Sequence, residues 1–324
     1  MREVMEWQTG RLRSVRDVTP DIRLFEIEPD GKFKAPTPGS HINVTVQIGG
    51  RPDVRSYSIV GPCDDCVYRI AVKLLPDSRG GSAYMWKLVP GDRMTITEPG
   101  NHFELARRRP EYLLLAGGIG ITPIYTMALA LDDAGAEFRL LYACRGRRDL
   151  AFGDELRERL GDRLQVFIDE EGDRVDLTAE IARLAPGGEF YVCGPIGLLE
   201  ATKRVWQDSG RPVDGLRFET FGNSGRFASQ DFTVKIPRLG WEITVPRNQT
   251  MLEALEDAGV EMIFDCRRGE CGLCAVKILE VEGAVDHRDV FFSDTQKTAN
   301  THMCTCVSRA VNGAITIDTA DRAG

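Results

Sequence analysis

Long hydrophobic runs are missing from this chain. Nowhere in its 324 residues do about 18 apolar residues follow one another, which excludes a spanning helix and leaves no membrane partner to expect. The opening stretch MREVMEWQTGRLRSV has no apolar core ahead of a small-residue cleavage site. No secretory signal is therefore expected, and a cytoplasmic location is. Positive charge is not in excess. Against 41 Lys and Arg stand 49 Asp and Glu, a formal net charge of -8, which argues against nucleic acid as the partner. Histidine is scarce too: His41, His102, His287 and His302 are the whole set, and none sits at metal-ligand spacing. There is no internal repeat. What the chain does concentrate is cysteine. It has nine, an odd number, and five fall from Cys266 onward. In a chain expected to stay in a reducing compartment, that crowding points to metal rather than to disulfides.

The length exceeds what one core usually holds, so two or three domains are expected. Residues 1–108 read as β. The runs IRLFEIEP, HINVTVQI, YRIAVKLL and RMTITEP cluster β-branched residues, and Pro38-Gly39, Pro90-Gly91 and Pro99-Gly100 punctuate them. Short, regular strands with turn signals predict an antiparallel β-barrel. The pattern changes near Pro110. Over 109–224, YLLLAGGIGITP, FRLLYACR, LQVFIDE and EFYVCGP read as strands that alternate with helical stretches, which predicts an α/β domain on a parallel sheet with ligands beyond the strands' C-terminal ends. The polar stretch 223–230 (NSGRFASQ) reads as a linker. In 231–324 the strands DFTVKIP, WEITVP and AITIDTA and the helix TMLEALEDAG surround the cysteines, an α+β arrangement.

Cys266, Cys271 and Cys274 stand in DCRRGECGLC, spaced C-x4-C-x2-C, the plant-type spacing for a [2Fe-2S] cluster. Such a cluster needs four thiolates on two irons. Three come from one loop, in which Gly269 and Gly272 let backbone N–H groups approach the sulfurs. The fourth must come from a separate segment, and Cys304 and Cys306 in HMCTCVSRA both qualify. Zinc sites usually pair two short knuckles, which this uneven loop does not. Cys63 and Cys66 form a lone C-x2-C and read as surface thiols; Cys144 reads as core.

With these residues in view the chain resembles the phthalate dioxygenase reductase and vanillate demethylase reductase family. The likeness covers essentially the whole chain in one domain order: FMN-binding barrel, nicotinamide domain of the ferredoxin-reductase-like kind, and a β-grasp [2Fe-2S] ferredoxin domain. In that family the last ligand precedes an SRA tripeptide by two places, which implies Cys306 rather than Cys304. The segment DHRDV, Asp286 to Val290, also matches.

Arg55-Ser56-Tyr57-Ser58 fits R-x-Y-[ST], the flavin pattern of ferredoxin-reductase-like barrels. Tyr57 suits packing on the flavin ring, Ser58 a hydrogen bond near its reactive N5 edge, and Arg55 a fixed positive fork for phosphate. The resemblance adds Ala71-Val72-Lys73, and Arg79-Gly80-Gly81-Ser82 as the cradle of the FMN phosphate, with Phe221 stacking on the flavin. FMN rather than FAD rests on this resemblance alone.

The turn Gly117-Gly118-Ile119-Gly120-Ile121-Thr122-Pro123 ends the first α/β strand. It lacks the G-x-G-x-x-G order, yet its glycines admit a pyrophosphate to the backbone ahead of a helix N-terminus. The resemblance places Thr122 between flavin and nicotinamide and sets Cys193-Gly194-Pro195 beside the nicotinamide ring. Ser58, Thr122 and Cys193 are accordingly expected around hydride transfer. NADH is favoured by the resemblance, although Arg145, Arg147 and Arg148 are cations of the type that hold a 2′-phosphate.

Nicotinamide delivers two electrons at once and a cluster accepts one; a flavin bridges the mismatch. The expected role is a reductase component that passes electrons from NADH through FMN and the cluster to a terminal oxygenase, Rieske-type or haem, acting on an aromatic acid or methoxy-aromatic. A monomer is expected. The alternatives are a redox-sensing iron–sulfur flavoprotein and a stand-alone flavin reductase.

Overall fold

In the computed structural model the described residues are 6–320, without Asp64, Pro76, Asp77, Gly222, Asn223, Ser224, Arg226 and Ala228. Four residues of the expected linker, Asn223, Ser224, Arg226 and Ala228, thus lie outside the described residues. The chain forms two compact units, Met1–Glu219 and Thr220–Gly324.

The first unit begins with six antiparallel strands: β1 (Trp7–Thr19), β2 (Ile22–Pro29), β3 (His41–Ile48), β4 (Arg51–Ser58), β5 (Tyr68–Lys73) and β6 (Arg93–Thr97). Their order is β4-β3-β6-β1-β2-β5. Alternation puts Ile42, Val44 and Val46 of β3 and Phe25 and Ile27 of β2 on the inner face, all fully buried, at roughly 1.5–3 kcal/mol each. The sequence reading did not foresee β1. Its Arg11, Asp17 and Arg13 face solvent, and pairing to β2 and β6, not its own composition, makes it a strand. No continuous ladder closes this sheet among the described residues. Its edges β4 and β5 meet at the isolated bridge Ile59↔Ile70 and at Val60 N–H, which donates to Arg69 O at 2.9 Å. Gly61, at φ 73, and Pro62, which has no N–H to give, then turn the chain away. A short helix α1 (Gly81–Met85) lies between β5 and β6.

The same unit continues with β7 (Tyr112–Gly117), α2 (Ile121–Asp133), β8 (Phe138–Cys144), α3 (Gly153–Leu160), β9 (Leu164–Ile168), α4 (Leu177–Arg183), β10 (Glu189–Cys193), α5 (Ile196–Asp208) and β11 (Leu216–Glu219). The five strands are parallel in the order β11-β10-β7-β8-β9. As expected for a sheet covered on both faces, β7 and β10 are buried at every position. Their C-terminal ends lie side by side at the middle of the sheet.

The second unit holds β12 (Phe232–Ile236), β13 (Trp241–Val245), α6 (Met251–Asp257), β14 (Ala275–Val281), β15 (Ala284–Asp286), α7 (Asp294–Ala299), β16 (His302–Cys304), β17 (Arg309–Val311) and β18 (Ala314–Asp318). A mixed sheet runs β13-β12-β18-β14-β16, and β15 pairs with β17 as a separate ribbon. Thr250 opens α6 with a reciprocal capping box to Glu253, worth about 1 kcal/mol. Met251, Leu255, Val234, Ile236 and Ile315 close the core beneath it. Among the described residues no helix is long and apolar enough to cross a membrane.

Candidate functional site

The two nicotinamide motifs, far apart in sequence, come together because β7 and β10 are neighbours. A Cβ on Gly120 would collide with the carbonyl of Cys193, and one on Gly117 would lie 2.7 Å from Pro195 Cδ. A Cβ on Gly194 would lie 3.0 Å from Gly117 Cα. These glycines are needed because two backbones pass where side chains do not fit. The N-terminus of α2 has no side-chain cap hydrogen bond; Ile121 N–H is spent on Gly118 O and Ile119 O and Pro123 has none, so what the helix offers beyond the strands' C-terminal ends is chiefly its dipole. That positive end, beside a backbone free of side chains, suits a pyrophosphate. Thr122 is 2% exposed, and its Oγ1 donates to Ile119 O at 3.0 Å, which fixes the turn.

Cys193 is fully buried. Burial pushes its thiol well above the usual range, and the Glu219 carboxylate adds to the shift. Glu219 pairs with Cys193 across β10 and β11 and is 6% exposed. The sequence reading passed over Glu219; the signal was there, an acid ending a strand in register with the CGP loop. On the far side of β7, the Arg147 fork is held by both carboxylate oxygens of Glu171, at 2.5 and 2.6 Å. Cys144 is buried and donates to Asp149 O at 3.7 Å, and burial raises its thiol to about 11.

The residues expected to hold flavin gather at the two edges of the first sheet. On β4, Arg55 donates to Asp53 at 2.6 Å and to Val54 O at 2.9 Å, and Ser56 Oγ to Asn43 Oδ1 at 2.6 Å. Ser58 is 6% exposed. The Tyr57 ring packs against the sheet's apolar core, and burial raises its hydroxyl pKa while Arg55 opposes the shift. The turn after Arg79 lands on Arg55: a Cβ on Gly81 would be 2.9 Å from both Arg55 Cγ and Arg55 Nε. Gly80 sits at φ 98, a conformation that favours glycine, and Ser82 Oγ donates to Ser78 Oγ at 2.8 Å. A guanidinium, a hydroxyl and a glycine turn at one spot make a suitable donor set for a phosphate. On β5, Ala71 and Val72 are buried, and Lys73 reaches Asp21 at 3.1 Å and Asp149 at 3.6 Å. Phe221 is half-buried and belongs to the second unit.

In the second unit the cysteines converge. The N–H groups of Arg268, Glu270 and Cys271 each point at Cys266 Sγ from 3.4 Å. The loop can do this because Arg267, Gly269 and Gly272 hold positive φ. A Cβ on Gly269 would be 2.7 Å from Val307 Cγ2, and one on Gly272 would collide with the Phe291 ring. The thiols interact in turn: Cys266 with Cys271 and Cys306, and Cys274 with Cys304 and Cys306. Cys306 thus interacts with both ends of the loop, whereas Cys304 interacts chiefly with Cys274 and more weakly with Cys266. Neighbouring sulfurs lower the Cys266 and Cys274 pKa values and raise those of Cys304 and Cys306. Among the described residues no three His, Cys, Asp or Glu side chains meet at single-ion spacing. A chain of thiols fits two irons that share four ligands.

Several charges near this loop are already paired. Arg267 bonds Glu256 at 2.9 Å and stacks on Phe264, and Arg268 meets Glu270 at 3.3 Å. Away from the loop, Cys63 is half-buried and Cys66 exposed. His287 Nε2–H donates to Asn300 Oδ1 at 2.8 Å.

Residues 234–311 match the 2Fe-2S iron-sulfur cluster binding domain family and residues 114–204 the oxidoreductase NAD-binding domain family. The chain is 38% identical over 313 residues to tetrachlorobenzoquinone reductase of Sphingobium chlorophenolicum, covering 93% of this chain and 94% of that protein. It is 34% identical over 316 residues to the carnitine monooxygenase reductase subunit of Escherichia coli (strain K12), covering 95% and 97%. Among solved structures it is similar to phthalate dioxygenase reductase, described as a modular structure for electron transfer from pyridine nucleotides to [2Fe-2S]: 30% identity, a TM-score of 0.74, and 96% of this chain against 98% of that one.

Proposed function

We propose that this chain, which belongs to the phthalate dioxygenase reductase family, is the NADH-dependent reductase component of a multicomponent oxygenase. The observation that carries the reading is the coexistence in one polypeptide of the paired Gly120 and Cys193 loops, the Arg55 and Gly81 contact and the converging cysteines. FMN, NADH and a [2Fe-2S] cluster are its cofactors. When bound, FMN would supply the change from two-electron to one-electron transfer.

The chain's own residues position and shield rather than exchange protons. In this reading residues 1–108, 109–224 and 231–324 form the FMN, NAD and ferredoxin domains, the first a barrel and the last a β-grasp. Gly117, Gly118 and Gly120 admit the NADH pyrophosphate to the N-terminus of α2. Cys193, Gly194 and Pro195 hold the nicotinamide, with Thr122 between the two rings. Cys193 works as a neutral, soft contact, because its thiol stays protonated at physiological pH. Arg55, Ser56, Tyr57 and Ser58, with Ala71, Val72, Lys73, Arg79, Gly80, Gly81 and Ser82, would hold the FMN. Glu171 occupies the Arg147 fork, which disfavours a 2′-phosphate and supports NADH. Cys266, Cys271, Cys274 and Cys306 bind the cluster; Cys306 is favoured over Cys304 by its reach to both Cys266 and Cys274.

The acceptor is a terminal oxygenase, Rieske-type or haem, for an aromatic acid or methoxy-aromatic, and the reductase is a cytoplasmic monomer. Mixing the purified protein with NADH and then with ferricyanide or cytochrome c tests the reading. Reduction of both, with a rhombic EPR signal from the reduced cluster, is the expected result. A flavin-replete, cluster-bearing sample that reduces neither would sink it.

A further inference from the structure

Two arginines from the matched segments DHRDV and SRA do not touch the cysteines. Both reach back to the first part of the second unit. Arg288 is 6% exposed. Its Nε donates to the buried Asp286 carboxylate at 2.8 Å, one terminal nitrogen to Ser229 Oγ at 3.3 Å and the other to Phe227 O at 3.2 Å. Arg309 is 4% exposed and donates to Gln230 O at 3.0 Å, Pro246 O at 2.9 Å and Gln249 O at 2.5 Å. The two arginines share a frame, because Asp286 and Arg309 are register partners in the β15–β17 ribbon.

That frame is also the back wall of the cysteine loop. Val290 N–H and Phe291 N–H both donate to Gly269 O, at 3.0 and 3.2 Å. Asp289, fully buried, accepts from Ser308 Oγ at 3.1 Å and from Phe292 N–H at 3.0 Å. Ser308 in turn follows Cys306 by two residues. Arg288 N–H donates to the same Ser308 hydroxyl at 3.2 Å. One continuous set of bonds thus runs from Phe227 and Ser229, through Arg288 and the DHRD backbone, to the loop that carries Cys266, Cys271 and Cys274.

We infer that Arg288 and Asp286, with Arg309 beside them, form a clasp that holds Phe227, Ser229 and Gln230 to the back of the cysteine loop and so anchors the beginning of the second unit to the frame that carries the cluster ligands. The inference rests on the relay reading above and concerns its second step, flavin to cluster. An anchored entry leaves the chain fewer conformations to search, which raises the effective concentration of cluster at flavin, and a guanidinium fork is the group that can hold a carboxylate, a hydroxyl and a carbonyl together. Arg288 is in this sense a positioning residue, with no contact to the reacting atoms.

Two variants test it in the full-length protein. Arg288→Lys keeps the charge opposite Asp286 but cannot span Phe227 O and Ser229 Oγ. Gly225→Val leaves Arg288 and Asp286 in place and displaces the stretch from the other side, since any Cβ there would collide with Arg288 Nε and Asp286 Oδ2. Hydrogen exchange of the peptide covering 225–230 is expected to quicken in both. In stopped flow, flavin reduction by NADH and ferricyanide turnover are expected to stay as in the parent, while cluster reduction slows by about three- to tenfold, with an unaltered cluster EPR spectrum. Unchanged exchange in both variants, or faster exchange with an unchanged rate of cluster reduction, would overturn the clasp. If the parent's flavin is not reduced by NADH at all, it is the relay reading that fails, and the exchange arm still decides whether the clasp exists.

Discussion

The turn after β7 and the loop around Cys266 do similar work by opposite means. In the first unit, bare backbone makes the site: glycines remove side chains, and the N-terminus of α2 supplies its dipole. In the second, side-chain sulfur makes the site, and the backbone serves it by turning three N–H groups toward Cys266. The same residue type takes opposite protonation states in the two places. Cys193, buried beside Glu219, is held as a thiol, whereas Cys266, facing amides and another thiol, is drawn toward the thiolate. Burial alone does not set cysteine chemistry; what the buried sulfur faces does.

The most drastic way to break this contrast is to remove a sulfur. Cys266→Ser or Cys274→Ser is expected to abolish the cluster's visible and EPR signals. Cytochrome c reduction should fall by about two orders of magnitude or more, because the one-electron exit is lost, while NADH-ferricyanide turnover persists. Retained cytochrome c reduction would break the division of labour.

Next comes the backbone of the cysteine loop. Gly269→Val forces a β-branched residue to φ 76 and drives it against Val307 and Asp289. A loss of about 2–4 kcal/mol from the second unit is expected, read by thermal melting together with the cluster content. The matching change in the first unit, Gly120→Ala, pushes on the Cys193 carbonyl. It should raise KM for NADH by about tenfold and leave the cluster spectrum untouched. Equal damage to both spectra would mean that the two sites are not independent.

The smallest effects concern protons. The thiols of Cys193 and Cys144 are both raised by burial. In the unfolded chain they ionise near the ordinary value of about 8.5, but in the fold they stay neutral beyond it. The folded state then binds more protons than the unfolded one. Their contribution to stability is complete below that ordinary value and is lost as pH rises through the alkaline range, toward about 11 for Cys144. Denaturant midpoints measured from neutral to alkaline pH check the sign. Iodoacetamide at neutral pH should modify the exposed Cys66 and leave Cys193 unreacted; rapid labelling of Cys193 would overturn its assignment as a neutral contact.

How much was legible in advance depended on how local the cause was. YLLLAGG and EFYVCGP were readable as strands because, apart from Glu189, every side chain in them is apolar, aromatic or small, and the helices IYTMALALDD and MLEALED because their periodicity is their own. β1 was not readable, since its Arg11, Arg13 and Asp17 look like a solvated loop until β2 and β6 pair with it. The three-cysteine loop was plain from its spacing, whereas the fourth sulfur stayed open between Cys304 and Cys306. Glu219 was missed because its significance lies in an inter-strand register, and DHRDV had no assigned role because its partners, Phe227, Ser229 and Ser308, are distant in the chain.

By itself the order of residues determined which chemistry is present: glycines where backbones must touch, an uneven run of cysteines, and apolar strands long enough for sheets, all of them short-range properties of composition and spacing. Tertiary structure alone decided which of these groups meet. Cys193 lies against Gly120 because β10 hydrogen-bonds to β7, and Cys306 reaches Cys266 and Cys274 because the chain returns through β16 beside β14. The left-handed Gly269 lets the loop's N–H groups turn inward. The protonation of each sulfur follows from those meetings, since desolvation and hydrogen bonding act through space and carry no trace in the local sequence.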